Sequence, residues 1–268
     1  MRFRVIFFLL AGMCVFPAAG QHSAGRWPLF RGNPEQTGES SSSLPPRLTL
    51  LWTYEARQPI RSSPVVADGT VYVGTDRAAL LAIDLATGRL VWKYSTTPGS
   101  PVKAPPAVNG GRVYVGDGSG VFHAVTARTG KRLWTFRANQ EIVSSANFFG
   151  SSVVFGSYDR FLYCLSTAGR LLWKAETEAQ VHATACVFSD RVAIAGCDGI
   201  LRVFSQSTGT ETGTVSLPGN VAASPVYAEG RLFVATFTGK LICVDASSLS
   251  LLWEVPISES ESVPVASS

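Results

Sequence analysis

The side chains that could do chemistry are few and scattered. His22, His123 and His182 are the only imidazoles in 268 residues. His22 lies near the start. His123 falls in a column of the internal alignment below that also holds Leu81, Tyr163, Arg202 and Ile242, which points to a surface position rather than to general acid–base work. Asp76, Asp84, Asp117, Asp159, Asp198 and Asp245 occur singly in turns or at strand ends, where a carboxylate caps a hairpin and faces solvent. Calcium would need several convergent oxygens. Cys164, Cys186, Cys197 and Cys243 show no C-x-x-C spacing for a metal. "GDGSGV" at 116–121 reads as a hairpin turn rather than a phosphate cradle, because no helix follows it. There is no G-x-S-x-G. The expectation is a chain without an enzymatic centre and without metal.

Something must position these residues, and it is a repeat. "TGRLVWKY" at 87–94 returns as "TGKRLWTF" at 129–136, "AGRLLWKA" at 168–175, "STGTETGTV" at 207–215 and "SLSLLWEV" at 248–255, after a lone "LLWTY" at 51–55. A phrase recurring about every forty residues marks a structural unit. Residues 63–92 show it best. "SPVV" is a short strand, Asp68-Gly69 a hairpin turn, and "TVYVGT" a second strand. "LLAIDL" is a third, and "RLVWKY" a fourth after the Thr87-Gly88 turn. Four short antiparallel strands per unit are the arithmetic of a β-propeller blade. The chain therefore reads as all-β, with about five complete blades.

Two columns carry the packing. Gly74, Gly116, Gly156, Ala195 and Ala235 are small, as if a neighbouring strand or blade comes close. Trp52, Trp92, Trp134, Trp173, Gly213 and Trp253 form the other. The central strands are apolar on both faces, so neighbouring blades must cover them, and a ring at a fixed place can fill the wedge between two blades. Gly213 makes the fourth unit degenerate, and its blade is expected to be the loosest. Cys164 and Cys243 share a column with Ala82 and Ala124, two units apart, so they read as small core residues rather than a disulfide.

The N-terminus has Arg2 and Arg4, an apolar run over 5–16 and small residues at 17–20, the layout of a signal peptide over 1–20. The run is short for a membrane span. Cys14 lacks a lipobox setting, so a soluble exported product, periplasmic or extracellular, is expected, with no transmembrane span after signal removal. The formal charge of +4 includes the two arginines of that segment. What remains is too weak and too scattered to suggest nucleic acid.

"SPVV…VYVG…LLAIDLATGRLVW" resembles the PQQ-like (pyrroloquinoline-quinone) repeat of the quinoprotein-type β-propellers, over about residues 50–268. "WPLFRGNPEQTG" at 27–38 resembles the segment that precedes many such propellers in bacterial exported proteins. The resulting division is a signal peptide over 1–20, an extended lead-in over 21–47 and the propeller over 48–268. The resemblance implies a ring of seven or eight blades. Five units plus two edge strands, "LTLLWTY" and the stretch around Pro264-Val265, fall short of it, so a truncated chain or an open, incomplete ring is expected. In its enzymes the family holds PQQ and calcium near the axis, beside adjacent cysteines that this sequence lacks. The non-enzymatic branch, which includes the propeller lipoprotein of the outer-membrane β-barrel assembly machinery, binds protein partners. That branch supplies the leading expectation: a non-catalytic scaffold for proteins of the cell envelope. The alternatives are a PQQ-dependent dehydrogenase remnant and a carbohydrate- or surface-binding module.

By the same resemblance the first strand of each unit runs along the axis. The column before it then crowds one mouth of the channel: Arg61, Lys103, Val143, His182 and Ala222. Arg61, Lys103 and His182 are the candidate partner-binding cations, for carboxylates or phosphates. The following columns, Ser62 to Ala223 and Ser63 to Ser224, are small and should leave the mouth open.

Overall fold

The computed structural model describes residues 26–257. The signal-peptide region, Cys14, His22 and the Pro264-Val265 strand lie outside the described residues.

Five four-stranded antiparallel sheets follow one another along the chain, each with its strands in sequence order. The first blade is β1 (Val65–Ala67), β2 (Thr70–Thr75), β3 (Ala79–Asp84) and β4 (Leu90–Ser95). The second is β5 (Ala107–Asn109), β6 (Arg112–Gly116), β7 (Val121–Thr126) and β8 (Arg132–Arg137). The third is β9 (Asn147–Phe149), β10 (Ser152–Gly156), β11 (Phe161–Ser166) and β12 (Leu171–Glu176). The fourth is β13 (Cys186–Phe188), β14 (Arg191–Ala195), β15 (Ile200–Ser205) and β16 (Glu211–Ser216). The fifth is β17 (Val226–Ala228), β18 (Arg231–Ala235), β19 (Lys240–Asp245) and β20 (Leu251–Pro256). The strand and turn grammar read from the repeat holds in every blade. Among the described residues no helix is long and apolar enough to cross a membrane.

Neighbouring blades meet through their first strands, β1 with β5, β9 with β13 and β13 with β17. These strands therefore converge on a common inner edge. Between blades the sheet faces interlock. Val65, Tyr72, Leu80 and Ala82 of the first blade share a buried cluster with Val102, Ala104, Val113 and Val125 of the second. The small column explains how close they come: a Cβ on Gly74 would stand 2.5 Å from the Val102 backbone oxygen. Gly116 faces Ile142 and Gly156 faces Val181 in the same way. In the first three blades the second strand thus touches the chain entering the next blade.

The tryptophans fill wedges, as their column implied. Trp52, Trp92, Trp134 and Trp173 donate Nε1–H to Leu85, Ala127, Thr167 and Gln206 carbonyls at 2.8–3.0 Å, each in the following unit. Their ring faces lie on Gly88, Gly130, Gly169 and Gly209, where a Cβ would intrude. The tryptophan phrase and the glycine turn are two halves of one joint, made across consecutive blades. A feature not legible in the sequence assists it: a bulge sits between the third and fourth strands of every blade, at the residue paired with that column.

The joint at Gly213 is built differently from the others. Leu249 of the fifth unit replaces the turn glycine and occupies the space above Gly213. Val203 stands opposite Gly213, where other blades have Ala or Cys. The carbonyl that would receive an indole, that of Ala246, accepts Arg191 Nη1 at 2.8 Å, as the Thr167 carbonyl accepts Arg112 Nη1 at 2.7 Å beside the Trp134 indole. Leu249 thus supplies volume from the other side of the joint, while the indole's own hydrogen bond has no substitute there.

At the two ends of the row a neighbour's contacts are missing among the described residues. Ile60 is 46% exposed, whereas its counterparts Val102, Ile142, Val181 and Val221 are buried. Trp253 is 38% exposed and touches Phe233, with ring centroids 6.0 Å apart. Trp52, Tyr54 and Ala56 lie on the first blade's Val73, Leu81 and Ile83 without forming a ladder strand.

Candidate functional site

The expected cationic mouth does not gather as free charge. Arg61 Nε pairs with Asp76 at 3.0 Å, and Lys103 Nζ with Glu141 at 2.9 Å. His182 Nδ1 lies 2.6 Å from the Tyr158 hydroxyl. Burial lowers the His182 pKa, with nearby Glu141 partly opposing, which favours the neutral ring beside the Tyr158 hydroxyl. Each of the three candidate cations has its own partner, so their charge does not stand free at the mouth.

The small residues beside them are not an open channel wall either. Ser62, Ser144, Ser145, Thr184 and Ser224 are buried. Ser62 Oγ donates to the Ala104 carbonyl at 2.9 Å. The Ser145 amide donates to Thr184 Oγ1 at 3.0 Å, and the Thr184 amide to Ser224 Oγ at 2.9 Å. Small side chains at this position stitch one blade to the next, because only a short hydroxyl reaches a neighbouring backbone without pushing the strands apart.

His123 is a second correction. It is 4% exposed, not a surface residue. Its Nε2 meets Asp117 Oδ2 at 2.9 Å and its Nδ1 meets the Tyr94 hydroxyl of the preceding blade at 3.0 Å. The column that looked variable has one rule in three blades: its polar member is buried and bonds a turn aspartate of its own blade. Tyr163 donates to Asp159 Oδ2 at 2.7 Å, and Arg202 Nη1 to Asp198 Oδ2 at 2.6 Å. The aspartates then reach backwards. Asp117 accepts from the Thr97 amide and Asp159 from the Asn139 amide, both in the preceding connection. Burial alone would raise the Asp117 pKa, but hydrogen bonds from His123, Thr97 and Val121 outweigh it and hold it at about 2. Asp117 and Asp159 are therefore joints rather than solvated caps, and Asp198 is tied within its own blade to the Ile200 amide and Arg202. Asp84 and Asp245 do behave as caps, binding Thr87 and the Ser247–Ser248 turn.

Cys164, Cys186, Cys197 and Cys243 are free, and all but Cys197 are buried. Burial pushes the Cys164 thiol up to about 12, which makes it inert at neutral pH.

The sequence reading missed what lies on the inner edge. Residues 27–38 do not run as a straight lead-in. Turns close them on themselves: Gly32 N to Leu29 O at 3.0 Å, Gln36 N to Asn33 O at 3.1 Å and Gly38 N to Arg31 O at 3.0 Å. Leu29, Phe30 and Gln36 are buried. Four amides of one repeat position, Val66, Val108, Val187 and Tyr227, donate to the carbonyls of Trp27, Pro28, Pro34 and Glu35 at 2.8–2.9 Å. In the third blade the Phe148 amide bonds Asn147 Oδ1, and buried Asn147 reaches the Pro34 carbonyl through Nδ2 at 2.7 Å. Arg31 Nη1 donates to the Ser224 carbonyl at 3.4 Å. One short segment touches all five inner strands.

The family model PQQ_2, described as outer membrane protein assembly factor BamB, matches residues 45–154, 124–212 and 197–267. Among solved structures, BamB from Moraxella catarrhalis superposes with a TM-score of 0.70 at 19% identity, over 77% of this chain and 67% of that one. The quinohemoprotein alcohol dehydrogenase from Comamonas testosteroni gives 0.73 at 16% identity, over 87% of this chain and 49% of that one. At such identities the likeness is one of fold. A beta-alanine-activating enzyme from Mus musculus is 38% identical over 100 residues, 35% of this chain and 9% of that protein. Its Homo sapiens counterpart is 33% identical over 100 residues. The chain thus spans less than a tenth of the curated relatives that it matches.

Proposed function

Because the chain belongs to the PQQ_2 family, described as outer membrane protein assembly factor BamB, we propose that it is an exported, non-catalytic β-propeller scaffold that binds protein partners in the cell envelope, in the service of outer-membrane protein assembly. One observation carries the reading: the turn carboxylates of four blades are each held by a neighbouring side chain, with one buried oxygen, Asp76 Oδ1, left without a bond among the described residues. Asp76, Asp117, Asp159 and Asp198 are engaged by Arg61, His123, Tyr163 and Arg202. A catalytic carboxylate or imidazole would need a free lone pair or proton facing a cavity.

The quinoprotein relatives imply PQQ and calcium. The residues present do not fit them. Calcium asks for about six to eight oxygens around one point. Here Asp76, Asp117, Asp159 and Asp198 are held apart on four different blades, in bonds with basic, imidazole or phenolic partners. Inner-edge amides that face the axis are taken by the segment 27–36. The beta-alanine-activating enzymes share a piece of this repeat, and their name carries no activity to this chain.

Affinity capture from native envelopes followed by mass spectrometry tests the proposal. Recovery of envelope proteins in stoichiometric amounts is the expected result. A quinone absorbance band or dye reduction after adding PQQ and calcium would overturn it.

A further inference from the structure

The segment 27–36 has the properties of a bound peptide. It satisfies amides that would otherwise form an open strand edge, at Val66, Val108, Val187 and Tyr227. Unpaired edge amides recruit extended chain, and main-chain bonds to such an edge are a common mode of peptide recognition. Two of the four acceptors are the carbonyls of Pro28 and Pro34. Proline brings a carbonyl without an N–H, so it leaves no unpaired donor of its own on that edge. Asn147, fully buried, is aimed at the Pro34 carbonyl and also bonds the Ala185 carbonyl at 2.8 Å. Cys186 Sγ lies 3.4 Å from the Glu35 carbonyl. The segment also organises itself: Gly32, with φ +84°, lies against the Trp27 ring, and Asn33 bonds Thr37 through Nδ2–Oγ1 at 2.6 Å. Residues 38–51, which tether it to the first blade, are exposed throughout.

We propose that the inner edge of the blades is a peptide-binding site, and that residues 27–36 are its resident ligand, held in cis. The ligand class is a short segment whose prolines offer carbonyls in two adjacent pairs, one pair at each end of a self-closing turn. This inference goes beyond the scaffold reading and does not depend on it.

Full-length chain carrying Gly32→Val provides the test, since a side chain at φ +84° is strained and its Cβ would stand 2.9 Å from Trp27 Cζ3. The probe is a fluorescent synthetic peptide of residues 26–38. In the variant, hydrogen exchange at Val66, Val108, Val187 and Tyr227 should accelerate together, by more than about tenfold, while β3, β7, β11, β15 and β19 stay protected. The peptide should bind the variant saturably at one site and restore protection of the four amides. The unaltered chain should leave the peptide unbound. Trp27→Ala, which removes the ring under Gly32, should behave alike. Retained protection in both variants, or loosened amides with no peptide binding, would overturn the proposal. So would loss of protection throughout the blades in both variants, because the segment would then be integral core rather than a ligand.

Discussion

Leu249 fills the space that a tryptophan at position 213 would occupy, and Gly213 has the tryptophan position of its blade. In the three preceding joints between blades the bulk comes from Trp92, Trp134 or Trp173, and the following turn yields with a glycine. Between the fourth and fifth blades the two sizes are exchanged. Gly213→Trp alone should therefore destabilise by about 1–3 kcal/mol through overpacking. Leu249→Gly alone should lose packing, partly offset by relief of the leucine's positive φ of 54°. The double variant should be more stable than the sum of the two changes, read as a coupling energy in a urea-denaturation cycle. Strict additivity would show that the exchange is accidental.

A second prediction contrasts two rings of one column. Trp134 lies on Gly169 and donates to Thr167 in the next blade. Trp253 is 38% exposed with no following blade described over it. Trp134→Ala should cost about 3–5 kcal/mol and Trp253→Ala clearly less, in equilibrium unfolding of the same chain. Equal losses would mean that Trp253 is covered in solution.

Acid stability should depend on Asp117. Its pKa falls from 3.8 in the unfolded chain to about 2 in the fold. The stabilisation is complete above 3.8 and fades as pH falls toward 2, and a shift of this size corresponds to roughly 2 kcal/mol. Asp117→Asn should lower stability at pH 7 and flatten the decline between pH 4 and 2, as measured by denaturant titrations across that range (roughly one pH unit per step). An unchanged acid limb would remove this carboxylate from the account.

His182 acts in the same sense, in a higher pH window. Its lowered pKa means that the unfolded chain takes up a proton first as pH falls through the ordinary histidine range near 6.5. Stability should decrease from pH 7 toward pH 5, and His182→Gln should remove that part of the slope. Denaturation midpoints at constant ionic strength give the answer. A slope retained in the variant would assign it to another group.

The sequence by itself determined the blade. Strand, turn and strand again follow from β-branched and aromatic content and from turn glycines over a few residues, and each of these acts at short range. "TVYVGT" at 70–75 became β2 without a residue's difference, and the Asp68-Gly69 turn has φ values of 49° and 73°. The tryptophan and glycine columns were visible because each joint repeats the same two residues. Tertiary structure alone decided which chemistry remains free. Asp117 looks like any turn aspartate until Thr97 and Tyr94 of the preceding blade close over its pairing with His123. Arg61 and Lys103 look like free cations until Asp76 and Glu141 reach them from other connections. The bonds from Asn147 to Pro34 and from Tyr227 to Glu35 join residues more than a hundred positions apart. Such pairings depend on where whole blades converge, and a local pattern of side chains holds no record of that distance.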